Sequence, residues 1–149
     1  MPVSITPAVP ADIDDLALLL HSLFAQDIEF TPDLEKQKAG LQQIIGNPAI
    51  GEIMVLKVDG KIIGMVSLLY SISTALGGKV ATLEDMVIAK GFRQKGYGKQ
   101  LLQHAIGLAK QRQCLRITLL TDFDNETAIR LYQYSGFNLS KMVPLRIIF

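Results

Sequence analysis

Apolar positions recur along this chain first every second residue, then every third or fourth, then every second again, and each change of period marks an element. Val3-Ser4-Ile5-Thr6 alternates and predicts a short first strand, ended by Pro7 and Pro10. Ile13, Leu16, Leu19, Leu20, Leu23 and Phe24 follow at helical spacing, so residues 11–25 read as an amphipathic helix starting near Asp12. Residues 27–32 read as a loop, and 33–45 as a second helix broken by Gly46-Asn47-Pro48. Residues 53–58 and 61–70 are strands on either side of an Asp59-Gly60 hairpin turn. Ile62, Ile63, Met65, Val66, Leu68 and Leu69 are too continuously apolar for an edge, which predicts a central strand.

Residues 71–79 read as a loop, and residues 80–88 as the third strand of a meander. A helix over 98–111 carries Leu101, Leu102, Ala105, Ile106, Leu108 and Ala109 as its buried stripe. The apolar run 115–121 then follows a strand–helix unit, so a right-handed crossover lays it parallel to the preceding strand. Asp124 is positioned to cap a last helix over 125–135, which Gly136 stops. Residues 137–141 and 145–149 predict a final hairpin turning at Met142-Val143-Pro144. The order β-α-α-β-β-β-α-β-α-β-β is an α/β fold with a mixed sheet and one parallel βαβ unit at its heart.

Length and composition narrow the class. At 149 residues, 49% hydrophobic and 19% charged, the chain suits one compact domain over residues 1–149. No apolar run approaches the ~20 residues of a membrane span, and the first ten residues lack the basic and apolar segments of a signal peptide. The single cysteine, Cys114, excludes an internal disulfide and any multi-cysteine metal site. A cytoplasmic protein without a metal or a membrane is the simplest expectation. Net charge is +1 but unevenly spread: residues 1–60 hold nine acids and three lysines, and the remainder twelve bases and five acids. A basic second half suits a polyanionic ligand and an acidic first half a cationic one. No basic stripe with interleaved aromatics points to nucleic acid.

The chemistry concentrates where the run 82–88 gives way to a helix. Arg93-Gln94-Lys95-Gly96-Tyr97-Gly98 puts two glycines and two cations at that junction. Amides at a helix start point into one space with the positive end of the dipole, and glycine lets a phosphate approach the backbone. Gly91 and Gly96 have P-loop spacing, but Tyr97-Gly98 replaces the Lys-Ser/Thr that would serve a nucleoside triphosphate and its magnesium. A dinucleotide fingerprint would need a small residue where Leu101 stands. The pattern that remains is Arg93-x-x-Gly96-x-Gly98 after a strand, joined about thirty residues later by Asn125-x-x-Ala128-x-x-Leu131-Tyr132-x-x-x-Gly136-Phe137. These two motifs resemble those of the GNAT superfamily of acyl-CoA-dependent N-acetyltransferases. The resemblance spans roughly residues 53–137.

That resemblance implies a GNAT-like, mostly antiparallel sheet and acetyl transfer from acetyl-CoA to an amine. It gives the pyrophosphate to Arg93, Gln94, Lys95, Gly96, Tyr97, Gly98 and Lys99. The pantetheine falls to the strand backbone at Met86, Val87 and Ile88, and to Asn125 and Ala128. Two residues are expected to carry the proton traffic. Glu84 lies in Leu83-Glu84-Asp85, which resembles the same segment of spermidine/spermine acetyltransferases and implies a base acting through water. Alternation puts Glu84 and Asp85 on opposite faces, and either is a candidate. Tyr132 stands where the family often has the acid that protonates the CoA thiolate, although its spacing also suits a packed core tyrosine.

Solvated lysines at 95 and 99, and a first-turn helix role for Asn125, are the ordinary alternatives. Lone His21 and His104 read as surface residues, and Cys114 as a packing residue. A small cationic amine is the favoured acceptor; a protein lysine or N-terminus, or an acyl-CoA sensor without turnover, is the alternative. The segment after Phe137 is short for the family's two closing strands, which leaves the pocket edge for a partner subunit in a homodimer to complete.

Overall fold

The computed structural model describes residues 2–25 and 32–149, so residues 27–31 of the expected loop lie outside the described residues. Strand β1, Val3–Pro7, leads through a single 3-10 turn into helix α1, Ile13–Phe24. Asp12 fixes that entry, its carboxylate accepting from the Val9 N–H at 3.0 Å. Helix α2, Leu34–Ile45, starts on Asp33, whose side chain accepts from the N–H groups of Glu35 and Lys36.

The meander follows as β2 (Gly51–Val58), β3 (Lys61–Ser73) and β4 (Gly78–Ile88). Asp59 and Gly60 both have positive φ, 51° and 77°, the geometry of a two-residue turn whose twist matches the flanking strands. Helix α3, Tyr97–Gln111, crosses over to β5, Ile117–Leu119, which runs parallel to β4, and helix α4, Glu126–Tyr134, comes last. The five strands form one sheet in the order β1-β2-β3-β4-β5. β3 is central, as its unbroken apolar run requires.

Helices cover both faces. Leu101, Leu102, Ala105, Leu108 and Ala109 of α3 pack on Leu56, Ile63, Val66, Leu68, Ala81 and Leu83, with Leu131, Tyr132 and Phe137 leaning on the same core. On the other face, Leu16, Ala17, Leu20 and Leu41 of α1 and α2 pack on Ile53, Val55, Met65 and Val87.

Four expectations change. Ser71, Ile72 and Ser73 are strand, opposite Val80, Lys79 and Gly78, because a ladder already in register extends without closing a new loop, whatever its composition. The strand expected over 115–121 pairs only at Ile117–Leu119. The Glu84/Asp85 alternation fails: the register between β3 and β4 shifts where Asp85 takes φ 53°, so this β-bulge reverses the phase of the strand. Leu83 therefore shares the α3-side core with Met86 and Ile88, while Val87 lies in the other core. The final hairpin is not formed. No strand follows α4 among the described residues, consistent with two short strands being too little to hold alone.

Candidate active site

The glycine motif sits where three elements meet. A Cβ built on Gly98 would lie 3.9 Å from Ile88, 3.9 Å from Met86 and 4.0 Å from Leu131, so α3 begins in contact with the end of β4 and with α4. Gly96 caps α3 at φ +86°, a conformation that a branched side chain adopts only with strain. No side chain caps this helix, and its first backbone bond is Gln100 N–H to the Gly96 carbonyl at 3.2 Å. The N–H groups of Tyr97, Gly98 and Lys99 are the unpaired donors of the first turn. Lys95 and Lys99 stand exposed over the rings of Phe92 and Tyr134, at 5.8 and 5.2 Å. Arg93 acts within the loop, its Nε–H donating to the Ile88 carbonyl at 2.9 Å. Gln94, at φ 62°, completes the turn.

Beside this loop the sheet opens. β5 pairs with β4 only opposite Ala81, Thr82 and Leu83. The bulge at Asp85 comes two residues later and bends β4 away. Ala89 N–H bonds to Ile63 on β3, so by alternation the N–H and C=O groups of Ile88 and Met86 face the β5 side, where pairing has stopped. The Ile88 carbonyl is the one that Arg93 takes. A bay with an unpaired strand edge on one wall therefore runs up to the unpaired start of α3.

Tyr132 is half-buried against the α3-side core and meets Phe137 edge-on, ring centroids 5.9 Å apart. Burial pushes its phenol above the ordinary value, and its hydroxyl takes no hydrogen bond among the described residues. It remains a proton donor at neutral pH. Asn125, rather than Asp124, caps α4: its Oδ1 accepts from the Ala128 N–H at 3.2 Å, which leaves the side-chain NH₂ for other partners. Glu84 is exposed, whereas burial, reinforced by the Glu84 charge, pushes the Asp85 carboxyl up to about 6.

Sequence reasoning passed over Ser67. It lies directly across from Glu84 on β3, almost fully buried, with its Oγ unpaired among the described residues. A lone hydroxyl in the apolar run 62–69 was the available signal. A second polar cluster, also unforeseen, lies at the far end of α3. Arg112 holds Glu52 through two nitrogens, and Tyr70 donates to the same carboxylate. Burial alone would lift the Glu52 carboxyl, but those hydrogen bonds outweigh it and hold it below its usual value. Cys114, close by, is a half-buried free thiol raised by burial, as a packing residue should be. A small cavity bounded by Pro7, Ile44, Pro48 and Ile53 contains none of the expected site residues.

Residues 17–137 match the model of the acetyltransferase (GNAT) family. The chain belongs to that family. A relative of known sequence is the uncharacterized N-acetyltransferase YhfO of Bacillus subtilis, 29% identical over 124 residues, covering 81% of this chain and 83% of that one. The streptothricin acetyltransferase of Streptomyces lavendulae is 33% identical over 79 residues, 53% of this chain and 40% of its own. Among solved structures, a possible acetyltransferase from Clostridium difficile 630 superposes with a TM-score of 0.85 over the whole of both chains at 17% identity, a likeness of fold. The GNAT fold of this chain is thus shared along its length. Among the described residues, no helix is long and apolar enough to cross a membrane, and no cluster of metal-ligating side chains occurs.

Proposed function

We propose that this GNAT protein moves an acetyl group from acetyl-CoA to the primary amine of a small cationic molecule, by direct attack in a ternary complex. The open edge of β4 beyond Leu83, ending at the uncapped start of α3, carries this reading. The residues present fit the ligand. Amides of Tyr97, Gly98 and Lys99 receive the pyrophosphate, Gly96 and Gly98 keep the approach free of side chains, and Lys95 and Lys99 add charge. The pantetheine takes the place of the missing strand neighbour of Met86 and Ile88, at the level of Val87. It also meets the Asn125 amide and the Ala128 turn. Acetyl-CoA supplies an activated carbonyl; the protein supplies orientation and proton transfer.

An alkylammonium, pKa near ~10, must lose a proton before it can attack. Glu84 takes it through water. As the nitrogen bonds to the carbonyl carbon, a backbone N–H of β4 receives the charge growing on oxygen, and the C–S bond breaks. Tyr132 gives its proton to the departing thiolate and regains one, through solvent, as the nitrogen sheds its second proton on forming the amide. The acidic first sixty residues favour a cationic acceptor, and a homodimer is part of the reading because the chain after Phe137 builds no closing strands of its own. One observation favours a second reading of the base: Asp85, raised to about 6, is poised nearer to neutrality.

The test is release of CoA thiol from acetyl-CoA across polyamines, amino sugars, amino acids and short peptides, with a no-amine control. Release specific to polyamines or amino sugars supports the proposal, and release with peptides alone transfers it to a protein acceptor. Calorimetric binding of acetyl-CoA with no amine above the control marks an acyl-CoA sensor.

A further inference from the structure

Ser67 interrupts the apolar run of β3 at its most buried stretch. It is 1% exposed, and among the described residues its Oγ is a buried side-chain polar atom with no hydrogen-bond partner. Alanine would fill the position without the cost of burying a hydroxyl, so the oxygen calls for an explanation in what it meets. Val66 and Leu68 pack in the α3-side core and Met65 in the other, so alternation turns Ser67 to the α1–α2 side of the sheet. Leu83 packs on the α3 side as well, which turns Glu84 to the same face as Ser67. The two residues are register partners.

Their rung is the last one in register before the bulge: pairing resumes at Met65 and Val87, with Val66 opposite both Asp85 and Met86. Ser67 and Glu84 therefore stand at the margin of the bay, one sealed and the other exposed. Directly opposed residues hold their Cβ atoms ~4.5–5.5 Å apart, and a single water making two bonds of ~2.8 Å spans such a pair. No helix side chain competes for that place. Helix α1 packs on this face through Leu16, Ala17 and Leu20, while its Asp14, Asp15 and His21 stay exposed and Asp14 pairs with Lys38 of α2. Glu35 and Lys36 of α2 are exposed too, which leaves Asp85 as the ionisable neighbour of Glu84.

We infer that Ser67 is a positioning residue, its hydroxyl holding the water through which Glu84 takes the proton of the acceptor amine. The water gives one hydrogen to Ser67 Oγ and the other to the Glu84 carboxylate, and so turns a lone pair to the ammonium. An ammonium proton passes to that lone pair as the water's own proton passes to Glu84. A neutral amine, a water and a carboxylic acid result, and Ser67 keeps its proton throughout. What the hydroxyl supplies is direction: an exposed carboxylate alone leaves the lone pair free to swing. The inference rests on Glu84 as the base of the acetyl transfer proposed above.

The experiment compares the full-length wild type, Ser67→Ala, Glu84→Gln and the double variant, using acetyl-CoA and the best amine of the panel, beside high-resolution crystal structures of the first two without ligand. The expected structures show an ordered water within hydrogen-bond reach of Ser67 Oγ and Glu84 in wild type, lost in Ser67→Ala. Ser67→Ala keeps its melting temperature and its KM for acetyl-CoA, and loses roughly tenfold in kcat/KM for the amine at neutral pH, the worth of one hydrogen bond. The loss fades as pH nears the amine's own pKa of ~10, where the acceptor arrives already deprotonated. On the Glu84→Gln background Ser67→Ala costs less than ~2-fold, because the two act as one unit. A packing role lowers activity evenly at every pH and on both backgrounds. An active wild type with no such water, with unaltered kcat/KM in Ser67→Ala, with a loss independent of pH, or with the full loss retained beside Glu84→Gln overturns the inference alone. A wild type inert toward every amine overturns the acetyl-transfer reading and the role of Ser67 with it.

Discussion

At the C-terminal end of α3, Arg112 Nη2 lies 2.8 Å from Glu52, Tyr70 shares that carboxylate, and Lys79 stands 5.0 Å over the Tyr70 ring. At the N-terminal end, Gly96 leaves the first turn without a side-chain cap, and among the described residues Lys95 and Lys99 meet only aromatic faces. One helix therefore has its charges answered at one end and left open at the other. Completed polar networks hold elements together, whereas amides and cations kept unpaired beside an open strand edge retain their attraction for an anion. The contrast separates two residue sets that composition alone does not: both ends are rich in Lys and Arg, and only one leaves its backbone donors without a side-chain cap.

Tyr132→Phe should show the largest effect at the open end. Turnover falls by roughly 10²–10⁴-fold, the usual range for a general acid, with acetyl-CoA affinity and melting temperature nearly unchanged. Steady-state kinetics beside calorimetry checks it, and unaltered turnover removes Tyr132 from the chemistry. At the closed end, Arg112→Met should cost about 2 kcal/mol of stability, less than for a fully buried pair because the arginine is 44% exposed, and leave turnover per folded molecule intact. Glu52 is held below its ordinary 4.5, so its contribution is complete above pH 4.5 and is lost as pH falls through the folded value. Urea titrations of the two proteins should therefore converge in acid.

Asp85→Asn sharpens the comparison from within the bay. The Asp85 carboxyl is raised from 3.8 to about 6, so the folded state holds its proton more tightly. Wild-type stability falls as pH rises between those values, and the cost is complete above the upper one. Asparagine tolerates the left-handed backbone, so the variant should be more stable at pH 8 by roughly 1–2 kcal/mol and equal to wild type at pH 3.5. If Asp85 is also the base, the acid limb of the kcat/KM profile near pH 6 disappears with it. If Glu84 serves, Glu84→Gln lowers kcat/KM across the profile and Asp85→Asn does not. Lys99→Ala should give the smallest effect, a KM for acetyl-CoA raised about 2–5-fold and shrinking with added salt, as for one solvated cation.

Most of the fold was legible because it is written in local period. The helices at 13–24, 34–45, 97–111 and 126–134 and the central position of β3 follow from apolar spacing, and the Asp59-Gly60 turn from its two residues. The bulge was not legible. Leu83-Glu84-Asp85-Met86 reads as plain alternation, and the shift of register there depends on how β4 meets Val66 and its neighbours on β3. The same limit applies to the closed end of α3, where Glu52, Tyr70 and Arg112 are far apart in the chain and are joined only by the sheet. The loop 93–99 was legible as a family motif because Arg93-x-x-Gly96-x-Gly98 sets particular residue types at fixed spacing. The open edge beside it was not, since the absence of strand pairing leaves no mark on composition. The C-terminal strands were misread for a related reason: residues 145–149 have the composition of a strand, and composition does not say whether a neighbouring strand stands in register to receive them.

The Asp59-Gly60 turn also sets an order of assembly. It joins β2 to β3 with the shortest of loops, whereas β5 reaches β4 only after α3 has been laid across the sheet. Loop-closure entropy favours the β2–β3 hairpin as the early nucleus and makes the three-residue β4–β5 pairing a late event. Gly60→Val should therefore slow refolding, while Thr118→Gly mainly hastens unfolding. The bay lies against the last-formed and first-lost rung of the sheet, so during denaturation acetyl-CoA binding should vanish while most of the far-ultraviolet circular dichroism is still present.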